Sequence, residues 1–142
     1  ETLKKNAPRL LYIAYGETDD FAHNGNYEAY IKSTLQTDTF ISDLWEFVQN
    51  HESYRDKTTF IITTDHGRGT EPLDTWQHHG TDIEGADEIW IAAIGPDTPE
   101  LGEVRNSETI YQTQIAKTVA HLLGLDYRNQ RPVGDVIETI TQ

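Results

Sequence analysis

Two short apolar runs bracket a long stretch of helical periodicity, and this arrangement limits the fold more than any other feature of the chain. Residues 9–15 (RLLYIAY) end at Gly16, and residues 58–64 (TTFIITT) end at Asp65-His66-Gly67. Both runs are continuous rather than alternating, the pattern of strands buried on both faces. Between them Tyr27, Tyr30, Ile31, Leu35, Ile41, Leu44, Trp45 and Val48 recur mostly at three- and four-residue steps. That is the stripe of an amphipathic helix, with Asn26 placed as its N-cap and an end expected near Asn50. Thr34, Thr37 and Thr39 are β-branched and weaken its middle. Strand, helix, strand at this spacing reads as a βαβ unit, with a parallel strand pair and a right-handed crossover.

The remaining segments extend that unit. Residues 17–26 read as a polar loop, and residues 68–87 as a loop rich in Gly, Asp and Thr. Residues 88–94 (EIWIAAI) read as a third strand of undetermined direction, closed by Gly95-Pro96. Ser107 is placed to cap a second helix whose stripe is Ile110, Tyr111, Ile115, Val119, Leu122 and Leu123, with Gly124 as its C′ residue. The expected fold class is therefore α/β, a small mixed, mainly parallel sheet with flanking helices. The length of 142 residues fits a single domain spanning 1–142. Two helices barely cover a sheet buried on both faces. The chain also begins at Glu1 with no initiator Met, so it is read as a mature, trimmed or excised piece of a larger body.

Charge and composition exclude several classes. There are 24 Asp and Glu against 11 Lys and Arg, a formal charge of -13. A phosphate backbone is gripped by clustered basic residues, so no nucleic-acid partner is expected, and anionic membrane surfaces are disfavoured alike. The absence of cysteine excludes disulfides, thiolate nucleophiles and thiolate zinc sites. No apolar run approaches the ~18 residues of a membrane span.

Ligands of open parallel α/β sheets bind beyond the carboxyl ends of the strands. The residues just past the first run are Glu17, Thr18, Asp19, Asp20 and His23; those just past the second are Asp65 and His66. If the strands are parallel, both groups share one sheet edge. The following loop adds His78 and His79, so four of the six histidines lie in these loops. Imidazole nitrogens with carboxylate oxygens are ligand chemistry for Zn²⁺, Mn²⁺ or Fe. Asp19-x-x-x-His23 can reach one ion if the chain turns between them. Adjacent Asp65 and His66 can converge only if Gly67 permits a turn. Either His78 or His79 could serve. Asp20 and Glu17 are expected at the surface or behind the ligands. Arg68 reads as a surface salt-bridge partner rather than a contact for a substrate anion. Trp76 either lines the site or packs, and His51 and His121 read as outside it.

The segments 15–23 (YGETDDFAH), 63–67 (TTDHG) and 79–82 (HGTD) resemble the metal-binding motifs of the alkaline phosphatase superfamily, which includes phosphodiesterases/nucleotide pyrophosphatases, phosphoglycerate mutases and sulfatases. The resemblance runs from about residue 9 to the end of the second helix and matches the C-terminal portion of such an enzyme. It implies an alkaline-phosphatase-like fold in which Asp19, His23 and His79 hold one divalent ion, and Asp65 and His66 hold another. The His79 assignment comes from the family pattern, in which the ligand is followed by Gly. Two Zn²⁺ ions are expected, with Mn²⁺ the alternative. The implied activity is hydrolysis of phosphate mono- or diesters. The other readings are a phosphoglycerate-mutase-like phosphotransferase, a sulfatase-like esterase, or a non-catalytic binding module retaining a partial metal site. Sulfatases carry Asp-Asn-Gly where this chain has Asp65-His66-Gly67, and a histidine there suits a transition-metal pair. In the family the second ion also holds an earlier Asp and the nucleophilic Ser or Thr; no segment of this chain matches them. The expected partners are a small phosphate ester and the missing N-terminal part of the same fold, with no catalytic residue supplied here. Such phosphodiesterases are often exported, which favours a periplasmic or extracellular location.

Overall fold

The computed structural model describes residues 1–105 and 108–141. The chain divides into two compact units, one formed by Glu1–Arg55 with Thr63–Ile91, the other by Asp56–Ile62 with Ala92–Gln142.

In the first unit a short helix α1 (Thr2–Asn6) precedes a stretch without regular secondary structure, then come α2 (Glu17–His23) and the long α3 (Tyr27–Asn50). Residues 17–23, expected as loop, form a helix for two local reasons. Glu17, Asp19 and Asp20 place negative charge in its first turn, where the helix dipole favours it. Gly25 then closes it in the left-handed conformation, φ 66°. The Gly25 amide donates to the Ala22 carbonyl (2.8 Å) and the Asn26 amide to the Phe21 carbonyl (2.9 Å), which is a Schellman ending. One residue later α3 begins where the sequence indicates: the Asn26 side chain accepts from the Ala29 amide at 3.1 Å. The helix runs unbroken through its threonines. Thr34, Thr37 and Thr39 each donate a hydroxyl to the carbonyl four residues back, on Tyr30, Ser33 and Leu35. α2 packs against α3 with Ala22 fully buried.

The sheet differs from expectation. Among the described residues it has two strands, β1 (Phe60–Thr63) and β2 (Ile91–Ile94), hydrogen-bonded to each other. They are antiparallel: the Thr59 hydroxyl reaches the Asp97 carboxylate and the Thr63 hydroxyl reaches the Trp90 carbonyl, so positions rise along one strand as they fall along the other. Residues 9–15 belong to no strand or helix. A strand is stabilised by a paired neighbour, and here Leu10 (59% exposed) and Tyr12 (86%) stand in solvent instead of in a core. The α/β class therefore stands, and the mainly parallel sheet is corrected.

In the second unit the expected helix is shorter. Ser107, its expected N-cap, lies outside the described residues. A 3-10 turn (Gln112–Gln114) leads into α3's smaller counterpart, α4 (Ile115–Leu122). It starts at Ile115 because Gln114 and Tyr111 form the entry: the Gln114 side chain accepts from the Tyr111 amide at 2.8 Å. Gly124 is the C′ residue the sequence indicates, at φ 70°, with Schellman bonds from Gly124 to His121 (2.9 Å) and from Leu125 to Ala120 (2.8 Å). The tail is tied to α4 by Thr118, which is fully buried and accepts from the Ile137 amide at 3.0 Å. Lys117 pairs with Asp135 at 2.9 Å and holds its carboxyl below the ordinary aspartate range.

Replacing Asn26 by Ala removes a single cap at the α2–α3 junction. The expected loss is ~1 kcal/mol, or roughly 4 °C in Tm, checked by thermal denaturation followed by circular dichroism.

Candidate metal centre

Five side chains singled out from the sequence gather in the first unit, and Asp19 is their hub. Its Oδ1 lies 3.4 Å from His23 Nε2, 3.7 Å from His66 Nε2 and 3.6 Å from His79 Nε2. Asp65 Oδ1 lies 3.8 Å from His66 Nε2. The His66 and His79 rings stack with centroids 3.7 Å apart, and His23 stands 5.1 Å from His79. One ligand atom each from Asp19, His66 and His79 fall within 4.8 Å of one another.

Each side chain is placed by a different local device. Asp19 and His23 are four residues apart in α2, so they lie one above the other on one face. Asp65 and His66 follow β1 at a bend that keeps Asp65 Oδ1 within 3.8 Å of His66 Nε2, although Asp65 is 91% exposed and His66 24% exposed. The Asp65 carboxylate accepts from the His66 amide at 3.1 Å, and His66 Nδ1 lies 2.8 Å from the Gly67 carbonyl. That second contact orients the ring so that Nε2 turns toward Asp19.

His79 arrives on the long loop after β1, which is cross-tied by backbone bonds. Gly67 donates to Ala86 (2.8 Å), Gly69 to His78 (3.1 Å) and Thr70 to Glu84 (3.1 Å). The Thr75 amide and hydroxyl both reach the Pro72 carbonyl. Gly67 is needed for close approach: a Cβ there would run into the backbone carbonyls of Gly85 and Glu88.

Three residues resolve differently from one another. His78 is exposed and its ring lies 6.2 Å from His23; of the adjacent pair, His79 is the one near Asp19. Trp76 packs, edge-on to Tyr27 and near Tyr30. Arg68 does form a salt bridge, but an inward one. It pairs with Asp19 through a short contact to Oδ1, its side chain is only 14% exposed, and its guanidinium stands 5.9 Å over the Tyr30 ring. The sequence signal for this residue was its position directly after the Asp-His-Gly turn. Glu17 and Asp20 are exposed; His51 is the C-cap residue of α3, and His121 lies in the last turn of α4.

The donor set suits a divalent ion: imidazole nitrogens and carboxylate oxygens, with no thiolate, converge from separate segments. A model of the metalloenzyme superfamily matches residues 1–127. The chain belongs to this superfamily. Superfamily membership accords with the resemblance to alkaline phosphatase-like proteins and implies divalent-metal binding within a phosphoryl-transfer type of enzyme family. A 2,3-bisphosphoglycerate-independent phosphoglycerate mutase from Gracilaria tenuistipitata var. liui is 27% identical over 143 aligned positions, which cover 96% of this chain and 25% of that protein. The chain thus spans a quarter of the length of that relative. No solved structure matches it. Among the described residues no helix is long and apolar enough to cross a membrane.

Gly67→Ala is expected to cost ~1–3 kcal/mol through steric conflict with the loop backbone and to displace His66. Calorimetric unfolding checks the first effect. A zinc titration of the same protein, expected to show weakened binding, checks the second.

Proposed function

We propose that this chain carries the metal-binding part of a two-metal phosphoryl-transfer site acting on phosphate mono- or diesters. The observation that supports it is the convergence of three imidazole Nε2 atoms, from α2, the β1 exit and the long loop, on Asp19 Oδ1. By the family resemblance Asp19, His23 and His79 are assigned to one ion and Asp65 and His66 to the second; the three ligand atoms that lie within 4.8 Å of one another are those of Asp19, His66 and His79, so His66 stands next to both sets. Zn²⁺ suits this nitrogen-rich set best, with Mn²⁺ the alternative. The ions, when bound, supply charge neutralisation and activation for in-line displacement at phosphorus. The protein residues would hold the ions and orient the imidazoles; His66 is fixed through Nδ1. The attacking hydroxyl is assigned to another part of the same fold, which the exposed residues 9–15 would help to seat.

A second reading, transfer of the phosphoryl group to an alcohol acceptor instead of water, is supported by the mutase relative. The two differ only in the acceptor, so product analysis with an added alcohol separates them.

Equilibrium dialysis with elemental analysis tests the metal assignment. Stoichiometric Zn²⁺ or Mn²⁺ is expected for the chain, lost in Asp19→Ala, weakened by about tenfold to a hundredfold in His79→Ala, and retained in His78→Ala. A chain that takes up no ion at saturating metal, with an unchanged melting temperature, is a non-catalytic module. Incubated alone with zinc and p-nitrophenyl phosphate, the chain is expected to show little turnover. Rapid hydrolysis abolished by His66→Ala would place the attacking group within these residues and refute that part of the assignment.

A further inference from the structure

Arg68 carries more hydrogen-bonding capacity than its surroundings use. A guanidinium has five N–H donors in a planar fork and stays charged at every physiological pH. Its Nη2 is held by Asp19 Oδ1, the same oxygen on which the three imidazoles converge. Its Nη1 is buried and has no acceptor among the described residues. A buried donor of a charged group left without an acceptor costs more than an ordinary missing hydrogen bond. The Tyr30 ring face lies on the guanidinium but accepts no conventional bond from Nη1.

We propose that Arg68 is the anion-recognition residue of this site, with Nη2 docked on the Asp19 carboxylate and Nη1 donated to an oxygen of a substrate phosphate group. The proposal rests on the phosphoryl-transfer reading and adds the residue that touches the substrate. The chemistry is selective for three reasons. The fork geometry of a guanidinium matches tetrahedral oxyanions. The Asp19 contact holds one arm of the fork, so the guanidinium plane is already placed, and Nη1, buried without an acceptor among the described residues, is the arm left to take an oxyanion once the site opens to it. A chain of net charge -13 repels a phosphate dianion at long range, so Arg68 adds to whatever positive charge bound ions supply at the ligand cluster. Because the two arms belong to one rigid plane, an anion on Nη1 stands beside the carboxylate proposed to hold the ion.

The test is isothermal titration of inorganic phosphate into the full chain, zinc-loaded and zinc-free, for wild type, Arg68→Gln and Arg68→Lys. Zinc affinity is measured separately by competition with a chromophoric chelator. In the zinc-loaded protein Arg68→Gln is expected to weaken phosphate by about tenfold or more. Arg68→Lys should weaken it by about threefold, because lysine keeps the charge and loses the fork. Zinc affinity should change by less than about threefold. Phosphate binding by Arg68→Gln within about twofold of wild type overturns the proposal. So does loss of zinc in parallel with phosphate, since Arg68 would then only support Asp19. If wild type takes up no zinc, the metal reading fails on its own. The zinc-free titration then decides the role of Arg68: phosphate binding that Arg68→Gln removes supports it, and none in wild type overturns it. Should Arg68→Gln fail to fold, Arg68→Lys decides, and unchanged phosphate affinity there overturns the proposal.

Discussion

One carboxylate oxygen organises the candidate site. Asp19 Oδ1 meets an imidazole from its own helix, one from the end of β1, one from the long loop, and the Arg68 guanidinium. Three imidazole nitrogens and one guanidinium crowd a single oxygen, and they arrive on separately stabilised pieces of backbone. Remove that oxygen and the segments have no common focus. The convergence therefore depends on the rigidity of each piece: the capped helix pair, the Gly67 approach and the cross-tied loop. None of the three alone would bring histidines from positions 23, 66 and 79 into reach of one another.

Local signals in the sequence were read well wherever a single side chain decides the backbone. Asn26 and Gly124 stand at their helix ends, because a cap or a left-handed residue acts within one turn, and α3 runs over the range its period indicates; of its apolar stripe, however, Tyr27, Ile31 and Leu35 are exposed and Val48 is buried. The Asp and His segments do come together, but not by the route the sequence suggests: residues 9–15 pair with no strand, and Asp19 and His23 reach the cluster from α2 instead of from a parallel sheet edge. α2 was missed because its residues are polar and too few to show a period; Gly25 and the acidic first turn were the available signals. The sheet was misread for a different reason. Apolar continuity in residues 9–15 indicates burial, but burial and pairing depend on what lies alongside, and a local pattern does not carry that information.

Arg68 marks the boundary between those two kinds of information. Next to an Asp-His-Gly turn, an arginine in a strongly acidic chain is most simply a surface ion-pair partner, and the ion pair is indeed formed. Its direction was not legible, because it depends on the Gly69–His78 backbone bond and the Gly67 approach that turn the chain inward at this point. The difference decides chemistry. An exposed pair is screened by solvent and contributes little, whereas an inward guanidinium beside a ligand cluster sets which charges the site accepts.

The exposed stretch at residues 9–15 has a consequence for how this protein behaves in a test tube. Leucine, tyrosine and isoleucine side chains presented to water in one short segment are adhesive, and a contiguous apolar patch of this kind favours association between copies. The surplus of acidic residues works against this through mutual repulsion between molecules. Ionic strength sets the balance: added salt screens the repulsion and leaves the adhesive stretch in command, so colloidal stability should be greatest in dilute buffer.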